Sequence, residues 1–203
     1  MKVDIVGEDE VTRAVILRLL KDFRSDIEIG NILPARGGQI VTLAPKYNNI
    51  DSHIILLTDL DAYICPPALL NDWLGNEPLN PKFLFRIAYR EAESWLMSDR
   101  IGFSTWVGAN IAFIPESVII DNRKQIRELV FPYKPSLFLM LEIASKSRKK
   151  EIRDGLTSKS GAKKGPLYNS TLIPFIENSW NIKAAILNST SLERAVQRII
   201  DFQ

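Results

Sequence analysis

"IILLTDLDAYICPP", residues 54–67, is the stretch that decides the fold. Four apolar residues, Ile54 to Leu57, run without a break, the pattern of a strand buried on both faces of a parallel sheet. The run ends in two carboxylates one residue apart, Asp59 and Asp61, and Pro66-Pro67 then opens a helix. A buried strand ending in acids delivers charge to one edge of a sheet. In open parallel sheets, ligands bind outside the carboxyl ends of the strands.

Working outward, "KVDIV" (2–6) alternates as a short strand and "GEDE" (7–10) is a turn that caps a helix. Val11, Val15, Ile16, Leu19, Leu20 and Phe23 follow at helical spacing, and Asp9 and Glu10 suit the positive end of that helix. "IEIGNIL" (27–33) predicts a second strand, "PARGGQIVTLAP" (34–45) a Gly-broken loop, and "KFLFRIAY" (82–89) a fourth strand. Residues 90–107 predict a helix or helix pair. The alternation predicts an α/β fold over 1–110, a mostly parallel central sheet flanked by helices. Beyond it, 114–132, 134–156, 170–180 and 191–202 read as helices, the last with a capping box of Thr190 and Glu193. Residues 157–169 form a polar loop. The expectation for 111–203 is a helical extension packed on the core.

Composition bounds the function. Of 203 residues, 46% are apolar, enough for a sizeable core. The net charge of +2 gives no global case for a polyanion partner. The charge is uneven, however: residues 146–164 carry eight Lys and Arg against Glu151 and Asp154, leaving the remainder acidic. Such a run is either a grip on a polyanion or a solvated face. Cys65 and His53 are the only residues of their types, which excludes an internal disulfide and a Cys/His zinc site. His53, at the start of an apolar strand, reads as a structural residue. The first ten residues lack the apolar segment of a signal peptide, and no run approaches the ~18 apolar residues of a membrane span. The expectation is a soluble cytoplasmic protein with no membrane contact.

Three groups of acids are expected at the carboxyl edge of the sheet: Glu8, Asp9 and Glu10; Asp59 and Asp61; and Glu91 and Glu93. Asp59 and Asp61 point the same way from an extended chain. Converging carboxylates repel unless a cation sits among them, and hard oxygen donors without His or Cys select Mg²⁺ or Mn²⁺. Such a cation contacts substrate phosphates, can supply the nucleophile and stabilises the transferred phosphoryl group. Helix capping is the alternative role for Asp9 or Glu10. Trp95 is expected to anchor the helix carrying Glu91 and Glu93. Tyr168, beside the basic loop, is a candidate base-stacking platform.

A strand ending in a glutamate before an amphipathic helix, then an apolar strand ending in D-x-D, resembles the TOPRIM fold of topoisomerases, primases and OLD-type nucleases. The glutamate of that family lies in a V-E-G-like turn. Here "VGEDE" places Glu8 on it, with Asp9 where glycine is usual, so Glu8 and Glu10 both stand as the ligand; Asp59 and Asp61 match the D-x-D. "REAESWLMSD" (90–99), "KKGPLYN" (163–169) and "SLERAVQRI" (191–199) are similar to small bacterial TOPRIM-like proteins encoded beside an ABC-type ATPase in anti-phage defence loci. The resemblance implies a metal-dependent nuclease acting on DNA or RNA, controlled by an ATPase partner. Glu93 would be a further ligand or base, and Lys164 would face the scissile phosphate.

Two other functions fit parts of the sequence. A receiver-like signalling domain would use Asp59 as phospho-acceptor, but it needs a hydroxyl after strand four and a Lys-Pro after strand five. Strand four runs into "YREAES", and Lys134-Pro135 precedes an expected helix. A non-catalytic TOPRIM-like scaffold would keep the fold without binding a divalent cation.

Overall fold

The computed structural model describes residues 1–35, 38–158 and 164–203. The chain divides into two compact units, Met1–Ala88 with Arg194–Gln203, and Tyr89–Glu193. The main segment of the first unit ends with the fourth strand.

The first unit is α/β. Strands β1 (Lys2–Gly7), β2 (Glu28–Ile32), β3 (Ile54–Asp59) and β4 (Phe83–Ala88) form an all-parallel sheet in the order β2-β1-β3-β4. Helices α1 (Glu10–Phe23), α2 (Gln39–Asn48) and α3 (Pro66–Leu74) make the crossovers. From β1 the chain steps one way to β2, then returns past β1 to β3 and β4. Right-handed crossovers therefore put α1 on one face and α2 and α3 on the other. The direction reverses between β1 and β3, and that switch point is where open α/β sheets form their ligand crevice.

Each element follows from its residues. Ile54, Ile55, Leu56 and Leu57 are buried, as an unbroken apolar run between two layers of helices requires. Helix α1 starts at a complete capping box: Asp9 accepts from the Thr12 N–H at 2.9 Å, and the Thr12 hydroxyl accepts from the Asp9 N–H at 3.0 Å. Asp9 is therefore a cap. At the other end of α1, Arg24 Nη1 donates to the carbonyls of Ile199, Ile200 and Phe202 at 3.3, 3.1 and 2.6 Å. These contacts satisfy the open carbonyl end of the last helix, α10 (Thr190–Ile200), and hold it to the first unit. His53 is half-buried edge-on to Phe202, the structural role expected of it.

One predicted loop is a helix. Within 34–45, α2 begins at Gln39, because Ile40, Ala44 and Tyr47 share one buried face at helical spacing despite Pro45. Arg36 and Gly37 lie outside the described residues.

The second unit contains α4 (Ala92–Ser98) and α5 (Arg100–Val107), then an antiparallel hairpin, β5 (Ser117–Asp121) with β6 (Ile126–Leu129). A helix predicted over 114–132 is thus corrected to two strands. Val118, Ile119 and Ile120 are β-branched, and Asp121–Gln125 is turn-forming, with Gln125 at φ 51°. The 134–156 segment is helical in pieces: α6 (Pro135–Phe138), a π-turn at Leu139–Ile143 and α7 (Lys150–Leu156). Helices α8 (Tyr168–Asn178) and α9 (Ile182–Ala185) follow. The cap of α10 is Ser189, whose hydroxyl accepts from the Leu192 N–H, and not Thr190, whose hydroxyl accepts from Arg127 N. Phe103, Trp106 and Phe175 cluster with ring centroids 4.6–5.2 Å apart. Trp95 is buried with Nε1 on the Ser191 hydroxyl at 2.8 Å, the anchor expected of it. No helix among the described residues is long and apolar enough to cross a membrane.

The β1–α1 turn is tight. A Cβ on Gly7 would stand 2.7 Å from Arg13 N and 2.8 Å from the Thr12 hydroxyl. Gly7→Ala must therefore displace the start of α1, and a cost of about 1–3 kcal/mol is expected in urea denaturation. A change within about 0.5 kcal/mol, the range of ordinary surface substitutions, would contradict this close approach.

Candidate functional site

The parallel register brings two acidic turns together. Gly7 pairs with Leu57, so Glu8 leaves β1 beside Thr58 and the end of β3. The Glu8 carboxylate accepts the Thr58 hydroxyl at 3.0 Å and a backbone N–H bond from Asp59. Asp61 follows in a left-handed conformation, φ 48°, which is uncommon for a residue other than glycine. That backbone turns the chain sharply after β3, so the extended path expected through Asp61 ends at Asp59, and Asp61 lies close enough to act on Glu8. Glu8, Asp9, Asp59 and Asp61 are half-buried, and Glu10 is exposed on the first turn of α1. Glu8 is thus bonded to the end of β3.

Burial is the main reason the Glu8 carboxyl is harder to ionise than its ordinary value of 4.5; the charges of Asp61 and Asp9 add to it. The Thr58 and Asp59 hydrogen bonds oppose the shift. Among the described residues, no three carboxylate, imidazole or thiolate groups form a set that would hold a metal ion alone. The donors suit a different arrangement. Mg²⁺ is usually held by one or two carboxylates, with water and substrate phosphates completing its shell. Glu8 and Asp61, two hard oxygen donors that repel each other at a sheet switch point, fit that description.

Of the five candidate residues, Glu8, Asp59 and Asp61 fall in the first unit, and Glu93 and Lys164 in the second. Glu93 is buried on α4, and its carboxylate accepts the Tyr168 hydroxyl at 2.6 Å. Lys164 is exposed, with Nζ 4.8 Å from the Tyr168 ring centroid, a cation–π contact. Tyr168 itself is buried, which corrects its reading as an exposed stacking platform.

The remaining buried acids of the second unit hold backbone. Glu91 accepts from Ser136 N at 2.7 Å, with Lys134 Nζ at 3.5 Å. Asp99 accepts from Gly102 N at 3.1 Å and Asn181 N at 2.9 Å. Glu128 accepts from Ser191 N at 2.6 Å and the Ser189 hydroxyl at 2.7 Å. These are caps of short helices, where anionic acceptors are favoured.

The basic run is partly used up in the same way. Lys146 pairs with Glu142 at 2.9 Å, Lys149 Nζ donates to the Thr105 and Trp106 carbonyls near the end of α5, and Arg153 donates to the Ser147 carbonyl. Arg148, Lys150 and Lys164 are exposed. Lys159 and Lys163 lie outside the described residues. For the receiver expectation, the parallel sheet ends at β4, and Lys134-Pro135 opens the short helix α6 instead of following a fifth strand.

No family model, no curated protein and no solved structure matches the chain.

Two outcomes follow. Because the folded-state pKa of Glu8 lies above 4.5, its contribution to stability is complete below that pH and is lost as pH rises through the folded value. Glu8→Gln keeps an oxygen for Thr58 and Asp59 and removes the charge. Its melting temperature should exceed that of wild type at pH 7 and match it near pH 4; an equal or lower value at pH 7 would refute the repulsion. In the second unit, Tyr168→Phe removes a hydrogen bond to a buried carboxylate, and a loss of about 1.5–3 kcal/mol is expected on chemical denaturation. A neutral result would show that Tyr168 does not support Glu93.

Proposed function

We propose that the chain is a TOPRIM-like, metal-dependent nuclease of the cytoplasm, hydrolysing phosphodiester bonds of DNA or RNA. One observation carries the reading. The acidic turn after β1 and the D-x-D after β3 meet at the switch point of a parallel sheet, joined by Glu8 to Thr58 and Asp59. Glu8 and Asp61 would supply the protein's oxygen donors to Mg²⁺ or Mn²⁺, with Asp59 beside them at the end of β3 and with water and substrate phosphate completing the shell, because among the described residues three acids do not form a set that holds the ion alone. Once bound, the cation would supply an activated water and stabilise charge on the transferred phosphoryl group.

The side chains have distinct tasks in this reading. Asp61 presents an oxygen donor from the turn that follows β3, and Asp59 lies at the strand's last position. Thr58 orients the Glu8 carboxylate toward the same edge. Lys164, exposed in the second unit, contacts backbone phosphate with Arg148 and Lys150, a grip that positions a strand without reading its sequence. Glu93 acts through Tyr168, as a positioning residue for the segment that carries Lys164. Control by an ABC-type ATPase partner belongs to the same proposal.

Cleavage of mixed single- and double-stranded DNA and RNA, with Mg²⁺ or Mn²⁺ and with or without the product of a neighbouring ATPase gene, tests it. Removal of one preorganised donor of oxyanion-hole type costs about 10²–10³ in rate, and loss of a group that stabilises transition-state charge here is taken on the same scale. Asp59→Ala/Asp61→Ala is therefore expected to lose at least about 100-fold of a metal-dependent activity. Absence of cleavage in every condition, or cleavage that survives in the double variant, would leave the scaffold reading in its place.

A further inference from the structure

Arg86 is an anomaly of the first unit. It sits on β4, an edge of the sheet, opposite Leu57 and on the same face as Asp59, two residues further along β3. Its side chain is half-buried, and Nε is shielded from solvent with no hydrogen-bond partner. A buried donor left unsatisfied costs about 1–3 kcal/mol. Its neighbours add to that cost. The charged groups that act on Arg86 are Arg198 and Arg194, both cations. With burial as the larger cause, they push the Arg86 guanidinium down to about 10.

Arg194 and Arg198 lie one turn apart on α10 and so share a face of the helix. Both are exposed, while Ala195, Val196 and Ile199 are buried beneath them. The Arg24 contacts that hold the carboxyl end of α10 keep this helix in place. Among the described residues, none of the three arginine side chains makes a salt bridge or hydrogen bond, although other arginine side chains of the chain do. Arg194 and Arg198 repel the Arg86 guanidinium, and an anion among the three would relieve that repulsion. Guanidinium forks match the oxygens of phosphate in bidentate geometry.

We propose that Arg86, Arg194 and Arg198 form a binding site for a phosphate group. Arg86 supplies the half-buried floor, and the two α10 arginines supply the exposed rim. The phosphate comes either from a small phosphorylated molecule or from the backbone of a nucleic-acid strand. The site stands independently of the metal-dependent reading, because neither a metal ion nor any of the proposed metal ligands takes part in it.

Titration of the full chain in EDTA, with inorganic phosphate in one arm and an eight-residue oligothymidylate in the other, tests the proposal. The variants are Arg194→Gln/Arg198→Gln, both on the exposed rim, and Arg86→Gln. Arg123→Gln/Lys124→Gln, in the exposed hairpin turn, removes equal charge elsewhere. Melting curves verify that each variant is folded. Losing two charge-assisted contacts should weaken binding by at least about tenfold in the rim variant, with the hairpin variant unchanged. Weakening in the phosphate arm identifies a small phosphorylated ligand; weakening in the oligonucleotide arm alone identifies a strand. Binding in neither arm, or equal binding by the rim and hairpin variants, overturns the site.

Discussion

The register of β1 against β3 is the constraint on which the site depends. Gly7 opposite Leu57 sets Glu8 beside Thr58 and brings two acidic turns, about fifty residues apart in sequence, to one crevice. A slip of one residue would turn every side chain of β1 to the other face, and the buried Val3, Ile5 and Val6 resist it. The Asp9–Thr12 capping box and the tight fit of Gly7 against α1 then fix the direction in which the chain leaves the strand. Core packing and site geometry are thus one property of this sheet edge.

The first unit sustains unfavourable charge in two places. Glu8 sits half-buried near Asp61 and Asp9, and Arg86 sits near Arg194 and Arg198. Each cluster lowers stability by itself, and each would be relieved by a ligand of opposite sign, a divalent cation in one case and a phosphate in the other. Local conflicts of this kind are expected at functional positions, where the fold elsewhere offsets them. The buried acids of the second unit contrast with this. Glu91, Asp99 and Glu128 are satisfied by backbone N–H groups and carry helix ends instead of chemistry.

Much of the first unit was legible in the sequence, for physical reasons. A short unbroken apolar run that ends at turn-forming residues reads as a doubly covered strand, and acids directly after it then lie at the carboxyl edge. The Pro66-Pro67 start of α3 and the helical spacing of α1 were equally plain. Helix α2 was hidden because the glycines before it and Pro45 within it outweighed the period of Ile40, Ala44 and Tyr47. The β5–β6 hairpin was hidden because its exposed apolar residues lack the alternation of a half-buried sheet. Glu93 was expected among the acids of the sheet edge, and only tertiary packing shows that it is buried and bonded to Tyr168 in the second unit. The arginine cluster joins residue 86 to residues 194 and 198, and no local pattern marks such a pairing.

In the proposed function, the turns after β1 and β3 form one cation site completed by a phosphodiester. Mn²⁺ binding tests this, followed by loss of the free-ion electron paramagnetic resonance signal, with and without a non-cleavable oligonucleotide. Binding should strengthen when the oligonucleotide is present and disappear in Glu8→Gln/Asp61→Asn. Absence of Mn²⁺ binding, or binding that the double variant retains in full, would contradict it.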